Sequence, residues 1–170
     1  VEELLPCSSS HKAALKNVLM NPQWILMLEL DDSVDLSNIQ LPSAIKKIVC
    51  DSDKPLRESN TNRKNWLIHV SEEWTEQHIE WDKSQVLSTL TDLLKNTVSG
   101  ELIVHESYVH RWLYSTGCAL IKTQKGVLSL SENLYTCGDW LGDRERQNSK
   151  PICGVESAYL SALCLAKHLS

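Results

Sequence analysis

The sequence lacks several features that would assign it to a class at once. It has no run of roughly 18 apolar residues, so no membrane-spanning helix is predicted. Its 17 basic and 22 acidic residues give a net charge of -5, and without a Lys/Arg cluster the chain is not expected to bind nucleic acid. The six cysteines form no C-x-x-C pair, so no metal site is predicted. No two of the six glycines are separated by a single residue, which excludes a G-x-G-x-x-G phosphate-binding turn.

The compartment and size follow from the same composition. The opening residues VEELLPCSSSHK lack the basic flank and apolar core of a signal peptide, so reduced cysteines in the cytoplasm are predicted. The length of 170 residues suits one sizeable core. Because the first residue is Val rather than Met, we expect a processed product or part of a longer protein.

Strand and helix signals are mixed along the chain. The apolar run Gln23–Leu30 predicts a central strand buried on both faces. Further strands are predicted at Ile45–Asp51, Trp66–Val70, Leu102–Ser115, 119–122, 127–130 and 134–136. Since strands and helices do not alternate regularly, the predicted class is α+β, with a mixed or antiparallel sheet and flanking helices.

Four helices are predicted between and after these strands. A short amphipathic helix follows Ser8–Ser10 and is expected to end at Asn21-Pro22. A second helix is predicted over Glu72–Trp81, and Asp82 with Gln85 forms a capping box for a third. The last helix runs from about Gly154 to Leu169. Its small residues are expected to pack on a sheet: Val155, Ala158, Ala162 and Ala166.

The end of the chain carries the most specific pattern. A short strand ends at Gly138-Asp139, where glycine permits close backbone approach and the carboxylate can accept hydrogen bonds from hydroxyl groups. After a loop, Gly154-Val155-Glu156 begins a helix whose free N–H groups can stabilise a partly anionic atom. This combination suits the ribityl chain and pyrimidine edge of a reduced flavin.

Four segments resemble the flavin-containing amine-oxidase-like proteins, and the renalase group in particular. NLYTCGDW followed by CGVESAYLSALCLAKHL resembles the C-terminal flavin segment of these enzymes. WLIHVSEEWTEQHIEWDKSQV resembles a strand–helix segment of the renalase group, HRWLYS resembles its later strand motif, and QWILMLEL its substrate-domain strand. The segments occur in the same order, and the similarity covers most of residues 8–170.

The resemblance implies the C-terminal portion of a two-domain FAD-dependent oxidoreductase. Residues 1–132 would form a substrate-type α+β region, and 133–170 the strand and helix that pack on a Rossmann-type FAD domain. The N-terminal dinucleotide-binding half, with its G-x-G-x-x-G turn, would be the missing partner. Without it the chain is expected to be inactive and to bind FAD weakly. The charged insert LGDRERQNSKPIC is longer than the family pattern at this position.

The resemblance also implies roles for particular residues. A small-molecule substrate, a dihydronicotinamide or an amine, would transfer hydride to the flavin, with oxygen as the final acceptor. Asp139 would hold the ribityl hydroxyls, and the N–H groups of Val155 and Glu156 would face the pyrimidine oxygen. His69, Trp112 and Tyr114 are the candidates for the substrate side. No nucleic acid or membrane partner is implied.

Structural interpretations of the same residues remain open. The chain could be a non-catalytic α+β binding module that retains the substrate-domain fold. Gly138-Asp139 could be an ordinary turn. Trp112 and Tyr114 could be cross-strand packing pairs, and His69 a hydrogen-bonded structural histidine. Three arginines could meet a phosphate-bearing substrate or simply lie on the surface: Arg111, Arg144 and Arg146.

Overall fold

A computed structural model describes residues 13, 15, 16, 18–57, 62–119, 121–123, 126–143 and 154–170. Eight strands and three helices lie in this part of the chain. The strands are β1 Leu19–Asp31, β2 Ile45–Cys50, β3 Arg63–Val70, β4 Val104–Ala119, β5 Ile121–Thr123, β6 Val127–Ser131, β7 Leu134–Cys137 and β8 Leu141–Asp143. The helices are α1 Glu72–Gln77, α2 Lys83–Thr97 and α3 Val155–Leu169. The mixed content confirms the predicted α+β class.

The chain divides into two compact units, which are described separately. One unit is Pro22–Leu113, and the other combines Val1–Asn21 with Tyr114–Ser170. The predicted division at residue 132 concerns membership in a larger enzyme and stays a prediction. None of the helices in the described ranges is long and apolar enough to cross a membrane.

The unit Pro22–Leu113 is built on a four-stranded sheet with the order β2-β3-β1-β4. β3 pairs antiparallel with both β1 and β2. Alternate residues of β1 and β3, such as Leu26 and Ile68, point into a core that α2 covers with Val86 and Leu90. This core face also holds Trp24, Leu28, Leu30, Trp66, Val70, Leu94 and Val109. The interior position of β1 agrees with the prediction from its apolar run.

Two predicted helix boundaries differ from the structure. The N-terminal helix falls largely outside the described residues, and its expected end at Asn21-Pro22 is wrong because β1 already begins at Leu19. A residue before proline favours extended backbone, which suits a strand rather than a helix end. The helix predicted over Glu72–Trp81 stops at Gln77, because His78 leaves the helical backbone conformation with φ −121° and ψ 25°.

The C-terminal unit contains two small sheets and α3. β6 and β7 form an antiparallel hairpin, and β5 pairs in parallel with β8. β8 was not predicted, since it lies in a stretch interpreted as a polar loop. α3 packs against the β6–β7 hairpin and begins with Gly154 as its N-cap. This packing brings the first turns of α3 close to the end of β7.

Candidate functional site

The Gly138-Asp139 turn and the start of α3 lie together in the C-terminal unit. The N–H of Gly154 donates to Asp139 Oδ2 at 3.2 Å, so the two predicted segments meet across the charged insert that separates them in sequence. Residues 144–153 of the insert, with Arg144 and Arg146, lie outside the described residues. The contact orients the Asp139 carboxylate beside the positive end of the α3 dipole.

The start of α3 is open. Gly154 has φ 106°, a conformation that favours glycine, and a Cβ there would meet no described atom within 4 Å. Among the described residues no side chain caps the helix, and Val155 is 89% exposed. Glu156 is exposed as well. Because the first N–H groups of a helix have no intrahelical acceptor, this end can donate hydrogen bonds to a ligand.

The Trp140 side chain, which belongs to the same turn, lies close to the backbone of Gly138. A Cβ at Gly138 would lie 2.5 Å from Trp140 Nε1 and 2.8 Å from Trp140 Cδ1. Only glycine therefore fits beneath this indole. The Trp140 indole therefore occupies the space beside Gly138 where a close approach by a ligand was predicted.

Ser161 fixes the turn, although the sequence analysis did not single it out. Its Oγ accepts a hydrogen bond from the Gly138 N–H at 2.9 Å and donates one to the Gly126 carbonyl. Ser161 is 4% exposed and is the buried residue of α3. Its signal in the sequence was one serine among the apolar residues of the helix. The role of such a serine can be assigned only once its two backbone hydrogen-bond partners are known.

The small-residue face of α3 does not pack on a sheet within the described residues, and its packing on a sheet of an FAD domain stays a prediction. Val155, Ala162 and Ala166 are exposed, and Ala158 is only partly buried. The hairpin instead contacts the side of the helix that carries Ser161, since the hydroxyl satisfies two backbone groups there. The exposed side carries larger apolar residues too, Tyr159 and Leu163.

Two of the three substrate-side candidates share one face of the four-stranded sheet. His69 alternates with the core residues Ile68 and Val70, so it points away from the core face. Arg111 lies over the Trp24 ring on the core side and donates to the Ile79 carbonyl. Its neighbour Trp112 therefore points, like His69, to the opposite face, which we call the second sheet face.

The aromatic candidates differ in their surroundings. Trp112 is 55% exposed and makes an edge contact with His110 at 4.6 Å between ring centroids. Tyr114 belongs to the C-terminal unit and is 78% exposed. The structure thus places His69 and Trp112 on one face of the four-stranded sheet, and Tyr114 does not belong to that unit. Arg111 packs on Trp24 as a structural residue.

His69 is held by a buried amide and faces a cation. Its Nδ1 lies 3.4 Å from Gln23 Oε1, and in the β2–β3 register it pairs with Lys47. Desolvation, and then the nearby Lys47, lower the pKa of His69 to about 4. The imidazole is therefore neutral at physiological pH.

The described residues contain no group of three or more His, Cys, Asp or Glu side chains that could hold a metal ion. No protein-family model and no curated protein matches the chain.

Proposed function

We propose that this chain is the C-terminal part of a renalase-like FAD-dependent oxidoreductase. The observation that carries the proposal is the contact between Asp139 Oδ2 and the Gly154 N–H, at 3.2 Å. It joins a strand-end carboxylate to an open helix start despite the long insert. A carboxylate beside free helix N–H groups fits the hydroxyls of a ribityl chain and the electron-rich pyrimidine edge of a flavin.

In the proposed enzyme the flavin supplies the hydride acceptor and passes the electrons to oxygen. Asp139 accepts hydrogen bonds from ribityl hydroxyls. The N–H groups of Val155 and Glu156 offset negative charge on the pyrimidine oxygen, as donors at a helix start do. Hydride transfer needs no general base from this chain. His69, Trp112 and Tyr114 stay predictions for the substrate side.

An exposed apolar stripe on α3 supports a missing dinucleotide-binding half. Val155, Tyr159 and Leu163 are 89%, 62% and 40% exposed. Their spacing of four residues places them on one side of the helix. Large apolar side chains grouped on a surface mark an interaction site. In the proposed enzyme this stripe packs against the Rossmann-type domain that carries the G-x-G-x-x-G turn.

The charges near His69 favour a dihydronicotinamide over an amine as substrate. Lys46 pairs with Glu72 and Lys54 with Asp51, whereas Lys47 has no ion pair with a described carboxylate. The same positive potential that lowers the pKa of His69 would repel a protonated amine. A phosphate-bearing dinucleotide would instead be attracted.

The proposed compartment is the cytoplasm. Cys50, Cys137 and Cys164 are free thiols in the described part of the chain, which fits a reducing environment.

Complementation tests the proposal. The chain is co-expressed with a dinucleotide-binding half from a renalase-group enzyme, and the purified pair is assayed for bound flavin and for dihydronicotinamide oxidation. We expect the pair to retain flavin, to oxidise the dihydronicotinamide and to form hydrogen peroxide, while the chain alone retains little. Asp139→Ala should weaken flavin retention by about tenfold, since it removes charge-assisted hydrogen bonds.

Asp92→Ala is the matched control, because Asp92 is an exposed carboxylate on α2. A pair that assembles without flavin would favour the alternative of a non-catalytic binding module. Equal flavin retention by the Asp139 and Asp92 variants would contradict the role of the turn.

A further inference from the structure

Gln23 is a buried residue of β1, and the nitrogen and oxygen of its side-chain amide contact adjacent residues of β3. It is 5% exposed. Its Nε2 donates to the Val70 carbonyl at 3.1 Å, and its Oε1 lies 3.4 Å from His69 Nδ1. Because a carbonyl oxygen only accepts, the NH₂ end must face Val70 and the amide oxygen must face His69.

This orientation determines which nitrogen of His69 carries the proton. The Gln23 amide oxygen is also an acceptor only, so Nδ1 has to donate to it. In a neutral imidazole with a proton on Nδ1, Nε2 is left as an acceptor. The low pKa of His69, caused by burial and then by Lys47, keeps the ring in this neutral form.

The acceptor nitrogen lies on the second sheet face. His69 is half-buried there, and none of its hydrogen bonds within the described ranges uses Nε2. Its neighbours across the strands are Lys47 and Ile25. Lys47 offers donors and positive charge, and Ile25 is apolar. His69 therefore contributes a hydrogen-bond acceptor to this face.

We propose that Gln23 is a positioning residue that holds His69 as its Nδ1–H tautomer, so that Nε2 accepts a hydrogen bond from an N–H donor of a ligand on the second sheet face. The tautomer is independent of the proposed function. The ligand contact rests on it, since the carboxamide of a dihydronicotinamide would supply the N–H group.

Histidine side-chain NMR of the 170-residue chain tests the tautomer directly. Long-range ¹H–¹⁵N spectra at neutral pH should show a protonated Nδ1 and an unprotonated Nε2 for His69. His78 is an internal reference, because its Nδ1 lies 2.7 Å from the Trp74 carbonyl and must also be protonated. A protonated Nε2 in wild-type His69 would overturn the proposal without any variant.

Two substitutions then test the role of Gln23. Gln23→Leu removes the acceptor, so a substantial fraction of His69 should convert to the Nε2–H tautomer while His78 stays unchanged. Gln23→Glu removes the donor to the Val70 carbonyl but places a carboxylate beside Nδ1, so Nδ1 should stay protonated and the pKa of His69 should rise. An unchanged His69 tautomer in Gln23→Leu would show that the amide does not hold the ring.

The ligand contact is tested in the assembled flavin-containing pair. Reduced nicotinamide mononucleotide is compared with the analogue that has a carboxylate in place of the carboxamide. Gln23→Leu should raise KM for the carboxamide by about tenfold with little change in kcat, the effect of one lost hydrogen bond to a bound group. The carboxylate analogue, which has no N–H donor, should show no such increase.

The two parts of the proposal can fail separately. Equal KM changes for both compounds would reject the hydrogen bond to the carboxamide and leave the tautomer standing. A pair that binds no flavin would reject the proposed function, and the NMR result would still decide the role of Gln23.

Discussion

Ser161 shows how one hydroxyl can fix a loop. It is both donor and acceptor, so it satisfies the Gly126 carbonyl and the Gly138 N–H at the same time. Gly126 directly precedes β6 and Gly138 directly follows β7, so both backbone groups lie outside the strands themselves. Ser161 thereby holds the turn that carries Asp139 against α3.

Ser161→Ala should loosen this turn without unfolding the unit. The Gly138 N–H would lose its acceptor, which costs about 1–3 kcal/mol for a buried donor, or roughly five- to 150-fold faster amide exchange. Hydrogen exchange followed at the Gly138 amide measures this. Ser157→Ala is the control on the same helix, since it makes the same change in helix propensity. Equal protection of Gly138 in both variants would contradict the bridging role.

His69 should also make folding stability depend on pH. Its folded pKa of about 4 lies below the ordinary value of 6.5, because burial and then Lys47 disfavour the charged ring. The unfolded chain therefore binds more protons between these two values. The free energy of unfolding should have its full value above about pH 6.5 and should fall as the pH drops towards 4.

An NMR titration of the His69 ring and urea unfolding across this pH range provide the measurement. Lys47→Met should raise the pKa of His69 only part of the way, since desolvation is the larger cause. His69→Gln should remove the contribution of His69 to the pH dependence of the free energy of unfolding. A His69 that titrates near 6.5 would show that the ring is not desolvated.

At the scale of elements, α2 is the part of the fold that the sequence predicts best. The Asp82 side chain accepts from the Gln85 N–H at 2.9 Å, and the Gln85 side chain accepts from the Asp82 N–H at 3.2 Å. This is the predicted capping box, confirmed at both bonds. Local signals suffice here because the cap and the apolar face both arise within a single helix.

Asp82→Ala should destabilise the first turn of α2 at neutral pH and not in acid. Hydrogen bonds from Ser84, and then from Gln85, hold the pKa of Asp82 below its usual value. The carboxylate therefore contributes stability above the unfolded pKa, and this contribution disappears as the pH falls through the folded pKa. Urea midpoints at neutral and acidic pH measure the effect. Asp92→Ala should show a smaller change, and equal changes would contradict the cap.

For the whole molecule, whether a structural feature could be predicted depends on how far apart in the sequence its contributing residues lie. The apolar run Gln23–Leu30 was sufficient for a central strand, because that signal is local. The bond between Asp139 and Gly154 spans the insert, and Gln23 reaches His69 from another strand. Neither contact leaves a periodic signal in the sequence. Their placement depends on loop closure and sheet order, which one sequence does not determine.

In the proposed enzyme, the exposed stripe of α3 packs against the dinucleotide-binding half. Tyr159 lies between Val155 and Leu163 and is 62% exposed, so Tyr159→Asp should leave the C-terminal unit folded. It should also prevent association with the dinucleotide-binding half, because a carboxylate would be buried without a partner. Co-purification of the pair, with circular dichroism of the free chain, measures both effects. Leu56→Asp is the control, since Leu56 is fully exposed in the other unit. Unimpaired association of Tyr159→Asp would mean that the proposed dinucleotide-binding half does not bind this stripe.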